Sequence, residues 1–275
     1  MATRTTSVFF DASTLANFKE WGMEVGAALL AYGWIKHTST GQIDWTTVAL
    51  PAAGAFAVGY EAWKPGDGLT DFYLRLEYGR GGVNAPIIRF RLSSAMLADG
   101  TPTGNVTAAV QSVGATAVTA SRTNWYSSGD SARYGFLTGI DNTSAAMFMG
   151  FERSRDDSGV YTNDGVCIIN GPGVLSSQYF TIGATPPATH APVIPLPVNF
   201  TSHAYGGEAP TAPCLHWRGR AVNPMTQFMY GLSGDWTNGS INPIEVYGVS
   251  RNYMFATTST SHGLTSNARP ALRWD

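Results

Sequence analysis

Asp71-Phe72-Tyr73-Leu74-Arg75-Leu76-Glu77-Tyr78 and Pro86-Ile87-Ile88-Arg89-Phe90-Arg91-Leu92 decide the fold class. In the first run Phe72, Leu74, Leu76 and Tyr78 share one face of an extended chain, and Tyr73, Arg75 and Glu77 take the other. In the second, Ile88, Phe90 and Leu92 share a face. A period of two is that of a strand with one face buried. Gly79-Arg80-Gly81-Gly82 joins the two runs with residues that accept turn geometry. Paired antiparallel, the strands set Glu77 across from Arg89 or Arg91, a charge pair of about 0.2–1 kcal/mol that serves register rather than chemistry.

Upstream, the spacing of Leu15, Phe18, Trp21, Val25, Leu29 and Tyr32 predicts one helix, with Asp11 or Ser13 as N-cap and Gly33 just past the end. Gly22 and Gly26 cost it about 1 kcal/mol each in propensity. They also form a small face four residues apart, over which another backbone can pass. Two readings stand: Trp21 and its neighbours cover one end of a β-core, or Trp21, Gly22 and Gly26 make a helix-to-helix contact between subunits. Between helix and strands, Val58, Tyr60 and Ala62 alternate with Gly59, Glu61 and Trp63 ahead of the turn Lys64-Pro65-Gly66-Asp67-Gly68.

Downstream, Asp99-Gly100-Thr101-Pro102-Thr103-Gly104 reads as a turn, and residues 105–121 as one long strand or two broken at Gly114. Further strands are expected at 133–138, 145–152, 165–170 and 178–182, then at 214–221, 226–230, 244–249 and 253–256. In Gly150-Phe151-Glu152-Arg153-Ser154-Arg155-Asp156-Asp157-Ser158-Gly159, a strand ends in a Glu/Arg pair and an Asp-rich turn; Asp164-Gly165 reads as a second turn. The predicted fold is mainly β: an antiparallel sandwich or jelly-roll-like body with one packed N-terminal helix. Residues 1–184 form helix and body, and 185–197 a Pro-rich extended connection with Pro192, Pro195 and Pro197. Residues 198–275 are a β-rich region of the same domain or a separate one. The Pro-rich stretch serves as a linker, a crossover, or an arm laid on a neighbouring subunit.

At 275 residues the chain can bury a real core, yet only 13% of it is charged, about half the usual share. Gly, Thr, Ser, Asn and Pro take up the difference, and an uncharged polar surface is cheaper to desolvate between subunits than one of Lys and Glu. A net charge of −2 gives no basic track for nucleic acid. No segment reaches the roughly 18 apolar residues of a membrane span, and Met1-Ala2-Thr3-Arg4-Thr5-Thr6 does not start a secretory signal. Cys167 and Cys214 lie in separate regions without metal-ligand spacing, and whether they pair is left open.

No catalytic constellation is legible: there is no Gly-x-Ser-x-Gly elbow, no His-Glu-x-x-His and no phosphate loop. Asp156, Asp157 and Asp164 lack calcium-loop spacing, and Cys214, His216 and His203 lack an evident fourth zinc ligand. Neither a metal nor another cofactor is expected. Aromatics near Asn and Asp, with Trp125, Tyr126 and Trp236 foremost, are candidate stacking rings for a host-surface glycan, or they pin loops and fill interfaces. The C-terminal Arg273-Trp274-Asp275 presents a ring that a neighbour can dock.

The order of helix, Tyr60-Glu61-Ala62-Trp63, Phe72-Tyr73-Leu74-Arg75-Leu76-Glu77-Tyr78-Gly79 and Phe151-Glu152-Arg153-Ser154-Arg155-Asp156 resembles a family of tailed-bacteriophage virion proteins. The resemblance covers roughly residues 12–170. It implies a structural, non-enzymatic subunit in the tail (tip, baseplate or fibre-attachment region), assembled in the host cytoplasm. Its partners would be copies of itself and other virion proteins, not nucleic acid or membrane. The alternatives are a capsid decoration or cement protein and a glycan-binding receptor module.

Overall fold

Hydrogen-bonded strands account for most of the described residues in the computed structural model, which describes residues 2–9, 11–54, 58–81, 86–106, 110–113, 123–138, 147–155, 160–170, 178–181, 214–215, 228–232, 241–246, 249–255 and 268–274. One sheet holds β2 (Trp34–Lys36), β3 (Gly59–Pro65), β4 (Tyr73–Arg80), β5 (Pro86–Met96) and β6 (Pro102–Val106) in that order, with β7 (Val110–Val113) beside β5. A second runs β1 (Ala2–Val8), β8 (Thr123–Asp130), β9 (Arg133–Thr138), β10 (Met147–Arg155), β11 (Tyr161–Asn170), β12 (Gln178–Thr181). The third comprises β13 (Cys214–Leu215), β14 (Phe228–Leu232), β17 (Ala268–Arg273), β16 (Val249–Phe255) and β15 (Ile241–Val246), again in spatial order. All pairings are antiparallel, and the only helix among the described residues is α1 (Leu15–Ala31). The protein is mainly β, a sandwich body with one packed helix. Its strands are connected mostly as meanders, with β1 crossing to the edge of the second sheet.

The deciding strands behave as their alternation requires. Phe72, Leu74, Leu76, Tyr78, Ile88, Phe90 and Leu92 are all fully buried, and the register sets Glu77 opposite Arg89. Arg89 and Arg75 both bond the Glu77 carboxylate, Arg75 at 2.9 Å. The second sheet closes on the first through Phe151, whose ring meets Trp34 at 5.1 Å, Tyr134 at 6.0 Å, Phe90 at 6.4 Å and Phe72 at 6.5 Å. Burying so many rings at one contact is the main apolar contribution to this seam.

Helix α1 starts four residues after Asp11, at a cap that is neither Asp11 nor Ser13. Thr14 is the N-cap, its hydroxyl accepting from the Asn17 N–H at 3.1 Å. Asp11 instead braces the approach, accepting from the Asn17 side chain at 2.7 Å and from the Ser13 N–H. Gly33 follows the C-cap Tyr32 with φ of 85°, as expected of the residue that ends the helix.

Two local expectations change. The turn expected through Gly104 is shorter: the chain reverses over residues 97–101, and β6 already runs from Pro102. Gly104, at φ 72°, sits where the β5–β6 register slips, so its positive φ forms a bulge within the strand. Of residues 105–121, expected as one long strand or two broken at Gly114, the end of β6 and β7 are strand, and 107–109 and 114–121 lie outside the described residues. Asp164-Gly165 lies inside β11, where the register jumps between Arg153–Gly165 and Arg155–Tyr161; the extra residues make an irregularity in the strand, not a turn. Strands β1, β2, β8 and β17 were not expected at all. Strand β9 has the expected bounds, and of the strand expected at 214–221 only β13 lies among the described residues.

Candidate functional site

The residues singled out for subunit contact turn mostly inward. Trp21 is fully buried, packed edge-on to Phe18 at 5.7 Å and against Tyr78 at 5.6 Å. Gly22 lies under the Trp45 indole, which a methyl group there would overlap. Gly26 lies against Trp63 and Glu61, with a Cβ at that position 3.4 Å from the Trp63 ring. The small helix face therefore receives two tryptophans of the same chain, not a neighbouring helix, and Trp21, Gly22 and Gly26 are core residues.

Trp125, a candidate glycan ring, is fully buried in the middle of β8, and Tyr126 beside it meets Trp274 at 5.8 Å. The strand pattern explains this: alternate residues of β8 point into the sandwich, so Trp125 faces the core and Tyr126 the third sheet's end. Trp274 is half-buried, its N–H bonded to the Asn252 carbonyl at 2.9 Å, so it docks within its own chain. Arg273 ends β17, opposite Tyr253. Pro192, Pro195, Pro197 and Trp236 lie outside the described residues, as do Asp156, Asp157, His203 and His216. Among the described residues no three His, Cys, Asp or Glu side chains gather as metal ligands would.

The fold buries polar members of the motifs at two separate places. Glu61, 2% exposed, accepts from the Tyr78 hydroxyl at 2.7 Å, from the Lys36 ammonium at 2.9 Å and from the Trp45 indole at 3.2 Å. Burial and the Glu61 charge push the Tyr78 hydroxyl well above its ordinary range, so it stays a donor. Across the sandwich Arg153, also 2% exposed, donates to the Asp67 carboxylate at 2.7 Å, to the Ser131 carbonyl at 3.2 Å and to the Thr70 hydroxyl. Its guanidinium lies 4.5 Å from the Tyr161 ring centre. Arg153 thus ties the end of β10 to the turn after β3. Under the helix, Arg4 grips Glu24 in a two-pronged pair at 2.6 and 2.9 Å. Beside it burial pushes the Tyr32 hydroxyl up to about 12, partly offset by its bond to Ser127 at 2.7 Å.

The sequence carried a signal for Glu61, a charge inside an otherwise apolar run, but none that set Arg153 apart from the charges beside it. It carried none for their partners, which lie up to 86 residues away. The same turn after β3 forms one wall of a half-open cleft of about 330 Å³, lined by Ile35, Lys64, Leu69, Thr70, Asp71 and Tyr73. No helix among the described residues is long and apolar enough to cross a membrane. No family model, no curated protein and no solved structure matches the chain.

Proposed function

We propose that this protein is a structural subunit of a bacteriophage virion, in the tail tip, baseplate or fibre-attachment region, and that it works by oligomeric packing. The observation that carries the reading is the internal use of the motif residues. Glu61 and Tyr78 bond each other, Phe72 and Phe151 stack across the two sheets, and Arg153 clamps the turn after β3. Residues that define a resemblance usually either do chemistry or hold shape. Here they hold shape, which suits a part whose task is rigid spacing. The low charge fits the same reading, since contact surfaces then desolvate at small cost.

Light scattering of the purified chain across a concentration range, together with cross-linking of whole particles, tests this. A defined oligomer or cross-links to tail components supports it, and cross-links to capsid protein move the subunit to the head as a cement protein. A stable monomer without virion cross-links overturns it.

A further inference from the structure

The connection from β2 to β3 begins at His37, whose side chain fills a role open only to an uncharged imidazole. The Ser39 N–H donates to its Nδ1 at 3.2 Å, so that nitrogen keeps its lone pair and the ring proton sits on Nε2. The same ring stands edge-on to Tyr73 of β4, with 5.5 Å between the ring centres.

The surroundings oppose protonation of this ring. Burial, and then the Lys64 ammonium of β3, hold the imidazole below its ordinary value. The carboxylates on the neighbouring elements are engaged elsewhere. Glu61 of β3 is tied to Lys36 of β2 at 2.9 Å, and Asp71, ahead of β4, accepts from the Tyr73 hydroxyl at 3.3 Å. Asp44, further along the connection, accepts from Thr46 and Thr47, and Asp99 of the 97–101 turn accepts from the Thr101 N–H. Among the described residues no carboxylate bonds His37.

The backbone around the ring is pinned on both sides. The His37 N–H donates to the Ala62 carbonyl at 2.8 Å, and the His37 carbonyl accepts from the Gln42 side chain at 2.6 Å. Gln42 also donates to the Ser39 carbonyl at 3.1 Å and accepts from the Ala62 N–H at 2.8 Å. Next along, the Thr40 N–H reaches the Ala98 carbonyl at 2.7 Å, and the Thr40 carbonyl accepts from the Tyr60 hydroxyl. Residues 37–42 therefore join β3 to the 97–101 turn, with Ser39 buried between them.

We infer that His37 is an acid-operated latch: a proton taken from solvent at Nδ1 turns the acceptor of the Ser39 N–H into a second donor, and residues 37–42 loosen from the 97–101 turn. Two N–H donors then face each other, and the Lys64 ammonium adds like-charge repulsion. Turning the ring aside gives up the Tyr73 contact, so either escape weakens the segment. The unfolded chain takes up this proton more readily than the folded one. Stability is thus at its full value above the ordinary imidazole range, falls as pH drops from about 6.5 through the lower folded value, and levels off beneath it. That window lies above the one in which ordinary carboxylates titrate.

NMR of the full chain between about pH 5 and 8 tests the latch. It follows the His37 ring and the exchange of the Ser39 and Thr40 amides, corrected for the intrinsic pH dependence of exchange. His37 is expected to titrate below about 6.5, with the protection of both amides falling about fivefold along the same curve. His37→Asn sets a side-chain oxygen where Nδ1 stands and cannot titrate, so its protection should stay level across the range. Lys64→Gln removes no bond to Ser39 and should move the His37 midpoint upward, carrying the loss of protection with it. The latch is overturned if His37 titrates at or above about 6.5, or if Ser39 protection ignores the His37 curve. It is equally overturned if His37→Asn loses protection in acid as wild type does. None of these outcomes touches the virion reading, which the particle cross-links decide.

Discussion

Two seams hold the sandwich together, and they are built on opposite chemistry. Where α1 lies on β3 and β4 the contact is aromatic and close, with Trp45 and Trp63 set against Gly22 and Gly26 and a buried carboxylate, Glu61, in the middle. Where β10 meets the turn after β3, the centre is a buried guanidinium, Arg153, held by Asp67 and Thr70. Glu61 is met chiefly by neutral donors and by a lysine that is 40% exposed, so its partners can adjust. Arg153 is fixed by acceptors in a tight turn, and a planar fork tolerates little displacement. One seam depends on fit, the other on charge and geometry.

The largest expected effect breaks the second seam. Arg153→Met leaves Asp67 without its cation and the turn without its clamp, and should cost about 3 kcal/mol in urea unfolding. On the first seam, Gly22→Ala drives a methyl into the Trp45 ring and should cost about 2 kcal/mol by the same measurement, the usual penalty for overpacking. Glu61→Gln keeps the volume but turns one acceptor into a donor facing Lys36, Trp45 and Tyr78. A loss of about 1.5 kcal/mol is expected, about half that of Arg153→Met. Equal losses would mean that the two seams do not differ as described. Gly26→Ala sharpens the comparison from the other side. Its methyl reaches only ordinary contact with Trp63, so helix propensity should raise stability by up to about 1 kcal/mol.

The smallest effect is one of pH. Burial raises the Asp67 carboxyl, but the Leu69 N–H and Arg153 more than offset it, so its folded pKa lies below the ordinary value. A depressed carboxyl contributes stability above its unfolded pKa of about 3.9 and loses it as pH falls through the folded value. Wild type should therefore show a small extra loss of stability in acid that Arg153→Met lacks, measured as midpoint against pH below about 4.

These contrasts also explain what could be read from the chain. Strands β4 and β5 were legible because one face of each is wholly apolar, and their pairing narrowed the partner of Glu77 to Arg89 or Arg91, of which the register takes Arg89. Strand β1 was not: Thr, Ser and Arg at an exposed edge carry little apolar alternation. Strand β8 was hidden by Ser127-Ser128-Gly129-Asp130, residues that locally favour turns, although Ser127 and Ser128 are buried. The helix was legible, but not which of the two readings of its small face holds. A pair of glycines marks a close approach without saying whose side chain approaches, and here two indoles did. Glu61 and Arg153 stood in plain view, but their roles depend on contacts between distant segments, which no local pattern encodes.

The pairing of β1 with β8 has a consequence for how the chain comes together. More than a hundred residues separate Thr5 from its partner Tyr126, and the whole of the first sheet lies between them. During synthesis α1 and β2 to β7 emerge before β8 does, so the first sheet and its helix can pack while the Ala2–Val8 segment still waits for a partner. Closing so long a loop is the slow, non-local kind of step. Until it closes, the Ala2–Val8 segment is without its β8 partner, and nascent chains held near one another on a polysome are able to trade it.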